Sequence, residues 1–203
     1  GVGGVIAAVP GRPKPLRAPS GHEVDRTGPW GSERQRAWGS FEAKDTGGMA
    51  HIQYLTQIHL DPGVVTMLRG ECERIGLRKP LVVTDAGVRA AGVLDKALAA
   101  LGDMPHAVFD GTPSNPTEAA VRAACRVFDA EHCDGLIAVG GGSSIDLAKA
   151  LAIAATHEGA LKTYATIEGG SAKISDRVLP LIALPTTAGT GSEVARGAIV
   201  IVD

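Results

Sequence analysis

One stretch limits the possible folds more than any other: "CDGLIAVGGGSSIDLAKALAIAATH", residues 133–157. A short apolar run enters three consecutive glycines, and a segment with helical spacing follows at once. An apolar run with no polar alternation suits a strand covered on both faces, as in a parallel sheet. The same unit recurs along the chain. "KPLVVTDAG" is a short buried strand and "VRAAGVLDKALAALG" reads as one amphipathic helix closed by Gly102. "HAVFDG" is a strand, "TPSNP" a loop and "TEAAVRAACRVFDAEH" a helix, and "LPLIAL" and "GAIVIVD" are two further β-branched or apolar runs. Ahead of these, "HIQYLTQIHL" alternates like a partly exposed strand and "PGVVTMLRGECERIG" has helical spacing ending at Gly76. Strands separated by helices of about 12–16 residues imply right-handed βαβ units around a parallel sheet, an α/β fold.

Residues 1–48 read differently. They are rich in Gly, Pro and Arg, carry both tryptophans, and show neither helical nor strand period; patterned sequence begins at Met49. Such a segment buries too little apolar surface to offset its ordering entropy. The expected organisation is a disordered or non-native extension over 1–48 and a patterned α/β domain over 49–203.

Composition excludes several classes of function. The net charge is −2, which gives no electrostatic case for nucleic acid or an anionic membrane. No apolar run approaches the roughly 20 residues that a membrane-crossing helix needs. The three cysteines fit no CxxC spacing, and reduced thiols in a cytoplasmic protein are the plain reading. The six histidines show no i, i+4 pair and no HExxH, so no metal ligand is assigned within the chain. No G-x-S-x-G elbow or cysteine–histidine signature supports a catalytic nucleophile, and no catalytic residue is assigned either.

Ligands in open α/β sheets bind beyond the carboxyl ends of the strands, so the post-strand loops are the candidates. In "AVGGGSSIDLAKA" the glycines allow close backbone approach, and the following helix start offers free N–H groups and partial positive charge to a pyrophosphate. The motif is neither G-x-G-x-x-G nor a Walker A loop, and Ser143 and Asp146 have the spacing of a capping box with Ser143 as N-cap. In "VVTDAGV" a carboxylate just past a strand suits a ribose diol, although Asp-x-Gly is also ordinary turn chemistry. In "PTTAGTGSEV", residues 185–194, four hydroxyls and two glycines can donate to phosphate or carboxamide, or can form a Ser/Thr-rich turn.

Taken together, "CDGLIAVGGGSSIDLAKA", "PLIALPTTAGTGSEV", "PLVVTDAGV" and "SNPTEAAV" make residues 49–203 resemble the N-terminal half of the iron-containing (group III) alcohol dehydrogenases. The resemblance implies the dehydroquinate-synthase-like fold: this nucleotide-binding domain, with the helical C-terminal domain missing. It implies NAD as cofactor, with Asp85 at the adenosine ribose and Asn115 on the adenosine side. Gly141, Gly142 and Ser143 would cradle the pyrophosphate with Asp146 in the same stretch, and Thr186, Thr187 and Thr190 would line the nicotinamide end. Ala195 stands where the family usually has Thr. The resemblance also implies Fe2+ or another divalent metal whose ligands lie beyond residue 203. The expected activity is oxidation of a small alcohol or hydroxy acid, or reduction of the corresponding aldehyde, by a homo-oligomer when full length. A non-catalytic nucleotide-binding fragment and a glycerol dehydrogenase- or maleylacetate reductase-type enzyme of the same fold are the alternatives.

Overall fold

A computed structural model of the chain describes residues 4–9, in their backbone course, and residues 56–202. Most of the expected 1–48 extension therefore lies outside the described residues. The exception is Gly4–Val9, which forms strand β1 where no strand period is readable. The remaining strands are β2 (Gln57–Asp61), β3 (Pro80–Val83), β4 (Ala107–Phe109), β5 (Gly135–Gly140) and β6 (Leu181–Pro185). The helices are α1 (Leu68–Ile75), α2 (Ala86–Ala90), α3 (Val93–Leu101), α4 (Glu118–Ala130) and α5 (Gly142–Ala154).

The sheet order is β2-β1-β6-β5-β3-β4. Strands β6, β5, β3 and β4 run parallel to one another, whereas β1 is antiparallel to both β6 and β2. Chain order within the parallel part decides where a ligand can sit. From β3 the chain moves one way to β4, then returns past β3 to lay down β5 and β6 on the other side. The order therefore reverses between β3 and β5, and a crevice opens there at the carboxyl ends.

Period-2 alternation in the central strands builds two cores. Leu136 and Ala138 face α4 and α5 together with Leu81, Val83, Leu181 and Ala183. Ile137 and Val139 face α1 and α3 together with Val82, Ile182 and Leu184. Leu136, Ile137 and Ala138 are fully buried, as expected for a central strand with helices on both faces. Helix α4 presents Val121, Ala124 and Phe128 at helical spacing and is capped by Thr117, whose hydroxyl accepts from the Ala120 amide at 3.2 Å.

Two elements depart from the sequence reading. The single helix expected over 88–102 is broken into α2 and α3, because Gly92 takes φ 69, outside the right-handed helical region. The run "GAIVIVD" forms no strand: Ile201 makes one isolated parallel bridge to Thr117, while Ile199 stays 83% exposed. Residues 158–179 carry short 3-10 turns at Leu161–Tyr164, Thr166–Glu168 and Gly170–Lys173 and no α-helix or strand.

Candidate functional site

The crevice between β3 and β5 is a cleft of about 640 Å³. Asp85 and Val88 line it from the β3 side, Gly141 and Ser143 from the β5 side, and Thr186 and Thr187 from the end of β6. The strand ends are locked together at this level. The fully buried Thr84 hydroxyl donates to the Val139 carbonyl at 2.8 Å, and the Thr186 amide donates to the Gly140 carbonyl at 2.9 Å. Each such bond contributes about 1 kcal/mol, and together they fix the spacing of the three loops.

Asp85 caps α2: its Oδ1 accepts from the Val88 amide at 2.9 Å. Its Oδ2 accepts from the Ser144 hydroxyl at 3.1 Å. A carboxylate has about four acceptor sites, so two protein donors leave capacity for a diol.

The glycines of "GGG" have different tasks. Gly140 has φ 157, and a Cβ there would lie 2.4 Å from Ser144 Oγ. A Cβ on Gly141 would lie 3.0 Å from Thr187 Oγ1, and one on Gly142 would lie 3.2 Å from Ser192 Oγ. The hydroxyl loop thus rests directly on the glycine turn, a close approach between two loops of the chain, where the sequence reading expects a ligand.

The capping box does not form. Helix α5 begins at Gly142 with Gly141 as N-cap and no side-chain cap. The Ser143 hydroxyl donates instead to the Ser114 carbonyl, and Asp146 Oδ2 accepts from the Ile199 amide at 3.1 Å. Long-range backbone partners have displaced the local pattern. The consequence is chemical: the first amides of α5 have no side-chain acceptor at the end that faces the cleft. An anion placed there gains those N–H groups and the helix dipole.

Of the nine residues expected to bind cofactor, Asp85, Gly141, Ser143, Thr186 and Thr187 line one cleft. Gly142 and Thr190 lie against each other, the Gly142 Cβ position being 3.5 Å from Thr190 Cβ. Asn115 is exposed beside Ser114 and does not line the cleft. Asp146, 8% exposed, does not line it either. Its carboxylate stands 3.7 Å from Lys149 Nζ, which donates to the carbonyls of Ser192 and of Gly197 (the latter at 2.9 Å). Burial lowers the Lys149 pKa although Asp146 opposes this. Asp146 and Lys149 thereby tie residues 192–199 to α5. Sequence reading missed Thr112, Ser114 and Ser144; only the doubled serine of "GGGSS" offered a signal, and its second member looks like helix filler.

Burial pushes the Cys72 thiol up to about 12 and raises Cys125 and Cys133 as well. None supplies a thiolate nucleophile at neutral pH. Among the described residues no group of three or more His, Cys, Asp or Glu converges, so they do not fit a metal centre. No described helix is long and apolar enough to cross a membrane.

Residues 56–203 match the family pattern of the iron-containing alcohol dehydrogenases. The chain belongs to that family. It is 67% identical over 155 residues to a 4-hydroxybutyrate dehydrogenase of Cupriavidus necator, covering 76% of this chain and 41% of that protein. Its fold matches a solved 1,3-propanediol oxidoreductase with TM-score 0.60 at 35% identity, over 70% of this chain and 42% of the other. It also matches a sulfoacetaldehyde reductase of Bifidobacterium kashiwanohense solved with NAD+, with TM-score 0.59 at 28% identity, over 70% and 42%. The chain therefore spans about two fifths of the length of these family members. Within the family, the switch-point crevice falls inside the matched residues.

Proposed function

We propose that the chain is the nucleotide-binding half of an NAD-dependent alcohol dehydrogenase that oxidises a small alcohol or hydroxy acid. The observation that carries this reading is the meeting of Asp85 and the uncapped start of α5 in one cleft, 56 residues apart in sequence at Gly141. The family supplies the reaction class, and the likeness to a 4-hydroxybutyrate dehydrogenase favours a hydroxy acid.

In this reading Asp85 accepts hydrogen bonds from the adenosine ribose, and its charge disfavours a 2′-phosphate. The amides at Gly141, Gly142 and Ser143 hold the pyrophosphate. Thr186, Thr187 and Thr190 orient the nicotinamide end, so that the bound cofactor can accept hydride from the alcohol carbon. No step through a metal is assigned to the described residues. The three free cysteines suit a cytoplasmic enzyme, and we place the whole protein there as a homo-oligomer.

The test is fluorescence titration of the chain with NADH and NADPH. NADH is expected to saturate, with NADPH at least about tenfold weaker because Asp85 faces the 2′ position. No saturable NADH binding, or tighter NADPH binding, contradicts the reading.

A further inference from the structure

The Ser144 hydroxyl has an unusual partner. Ser144 lies in the first turn of α5 and is fully buried. A serine there can bond back to its own helix, yet its hydroxyl reaches 3.1 Å across to Asp85 Oδ2, 59 residues away in sequence. The contact exists because Gly140 has no side chain. A Cβ at Gly140 would lie 2.4 Å from Ser144 Oγ, 2.7 Å from Ser144 Cβ and 3.3 Å from Asp85 Oδ2. The first glycine of the triplet therefore makes room for this contact, while the next two lie against Thr187, Thr190 and Ser192.

From this geometry, and on the reading that the cleft takes NAD, we infer that Ser144 is a positioning residue that sets the orientation of Asp85 towards the ribose 2′-hydroxyl. The Val88 amide holds Oδ1 and Ser144 holds Oδ2, so the carboxylate plane is fixed from both sides. With Oδ1 alone held, the terminal torsion of an aspartate is broad and the plane can swing. Ser144 touches no ligand itself. It selects which acceptor sites of Asp85 face the cleft, and so it governs discrimination at the 2′ position rather than overall affinity.

The experiment compares binding of NAD and of its 2′-deoxyadenosine analogue by the chain, using Ser144→Ala and the volume-conserving Ser144→Cys. Loss of one charge-assisted hydrogen bond to the positioned carboxylate is expected to weaken NAD about fivefold. The deoxy analogue should change less than about twofold, so the preference for the 2′-hydroxyl collapses. In an Asp85→Ser background, which keeps a capping oxygen, Ser144→Ala should have no further effect. Equal weakening of both ligands overturns the inference, as does unchanged binding or a persisting effect in the Asp85→Ser background. If the wild-type chain binds NAD but these patterns appear, the inference alone fails. If it binds neither ligand, the nucleotide reading falls with it.

Discussion

Gly142→Asp is expected to reduce NADH affinity by at least about 100-fold while leaving the fold intact. Gly142 is the first residue of α5, and a Cβ there would lie 3.2 Å from Ser192 Oγ and 3.5 Å from Thr190 Cβ. The carboxylate is thus confined between the glycine turn and the hydroxyl loop, where the pyrophosphate of the proposed cofactor lies. Like charges about 4 Å apart in a partly buried site repel by roughly 4 kcal/mol at an effective dielectric of 20, and about half of that already gives a factor near 30. Loss of space at the amides adds to it. An acidic residue in the first turn favours the helix dipole, so the thermal midpoint should stay within a few degrees of wild type. Equal NADH affinity for the two proteins would remove the anion site from the account. A collapse of the midpoint would make the glycine a packing requirement instead.

The second large effect lies at Asp146, which the family resemblance puts in the phosphate-binding stretch and which does not line the cleft. Asp146→Ala removes the acceptor of the Ile199 amide and the carboxylate nearest the Lys149 ammonium. Breaking a buried pair from one side costs about 3 kcal/mol, which for a domain of this size lowers the midpoint by roughly 6–12 °C. ADP-ribose affinity, read on the folded protein, should move less than about threefold. The pH dependence has a fixed sign. Burial already lowers the Lys149 pKa in the folded state, so the unfolded chain binds more protons between the folded and the ordinary lysine values. Stability is penalised below that window and regained as pH rises through it. Losing Asp146 deepens the penalty, so the deficit of Asp146→Ala relative to wild type should shrink in alkaline solution. A large loss of ADP-ribose affinity with an unchanged midpoint would return Asp146 to the cofactor.

Much of the site is readable from punctuation. "VVTDAG" and "AVGGGS" each join an apolar strand to a helix start, and the rule that ligands gather beyond carboxyl ends brings Asp85, Gly141 and Ser143 into one cleft without any contact information. What cannot be read is set by partners far away in sequence. The S-x-x-D spacing of Ser143 and Asp146 satisfies the local capping rule, yet Ser114 and Ile199, themselves 85 residues apart, take both side chains. Gly92 looks like a tolerated helical glycine, but its φ of 69 splits the helix. Strand β1 pairs Ala7 with Ala183 and Val5 with Leu60, and nothing within "GVIAAV" announces either partner. Ser144 is legible only as the second of a doubled serine; its meaning appears when Gly140 and Asp85 are seen around it.

The central claim is that three loops form one NAD cleft at the switch point between β3 and β5. Amide hydrogen exchange of the chain with and without saturating NAD tests it most directly. Protection is expected to increase in peptides covering 84–88, 140–144 and 186–192, with little change in α1, none of whose residues lines the cleft. Protection confined to other segments, or none at all under saturating NAD, would contradict it.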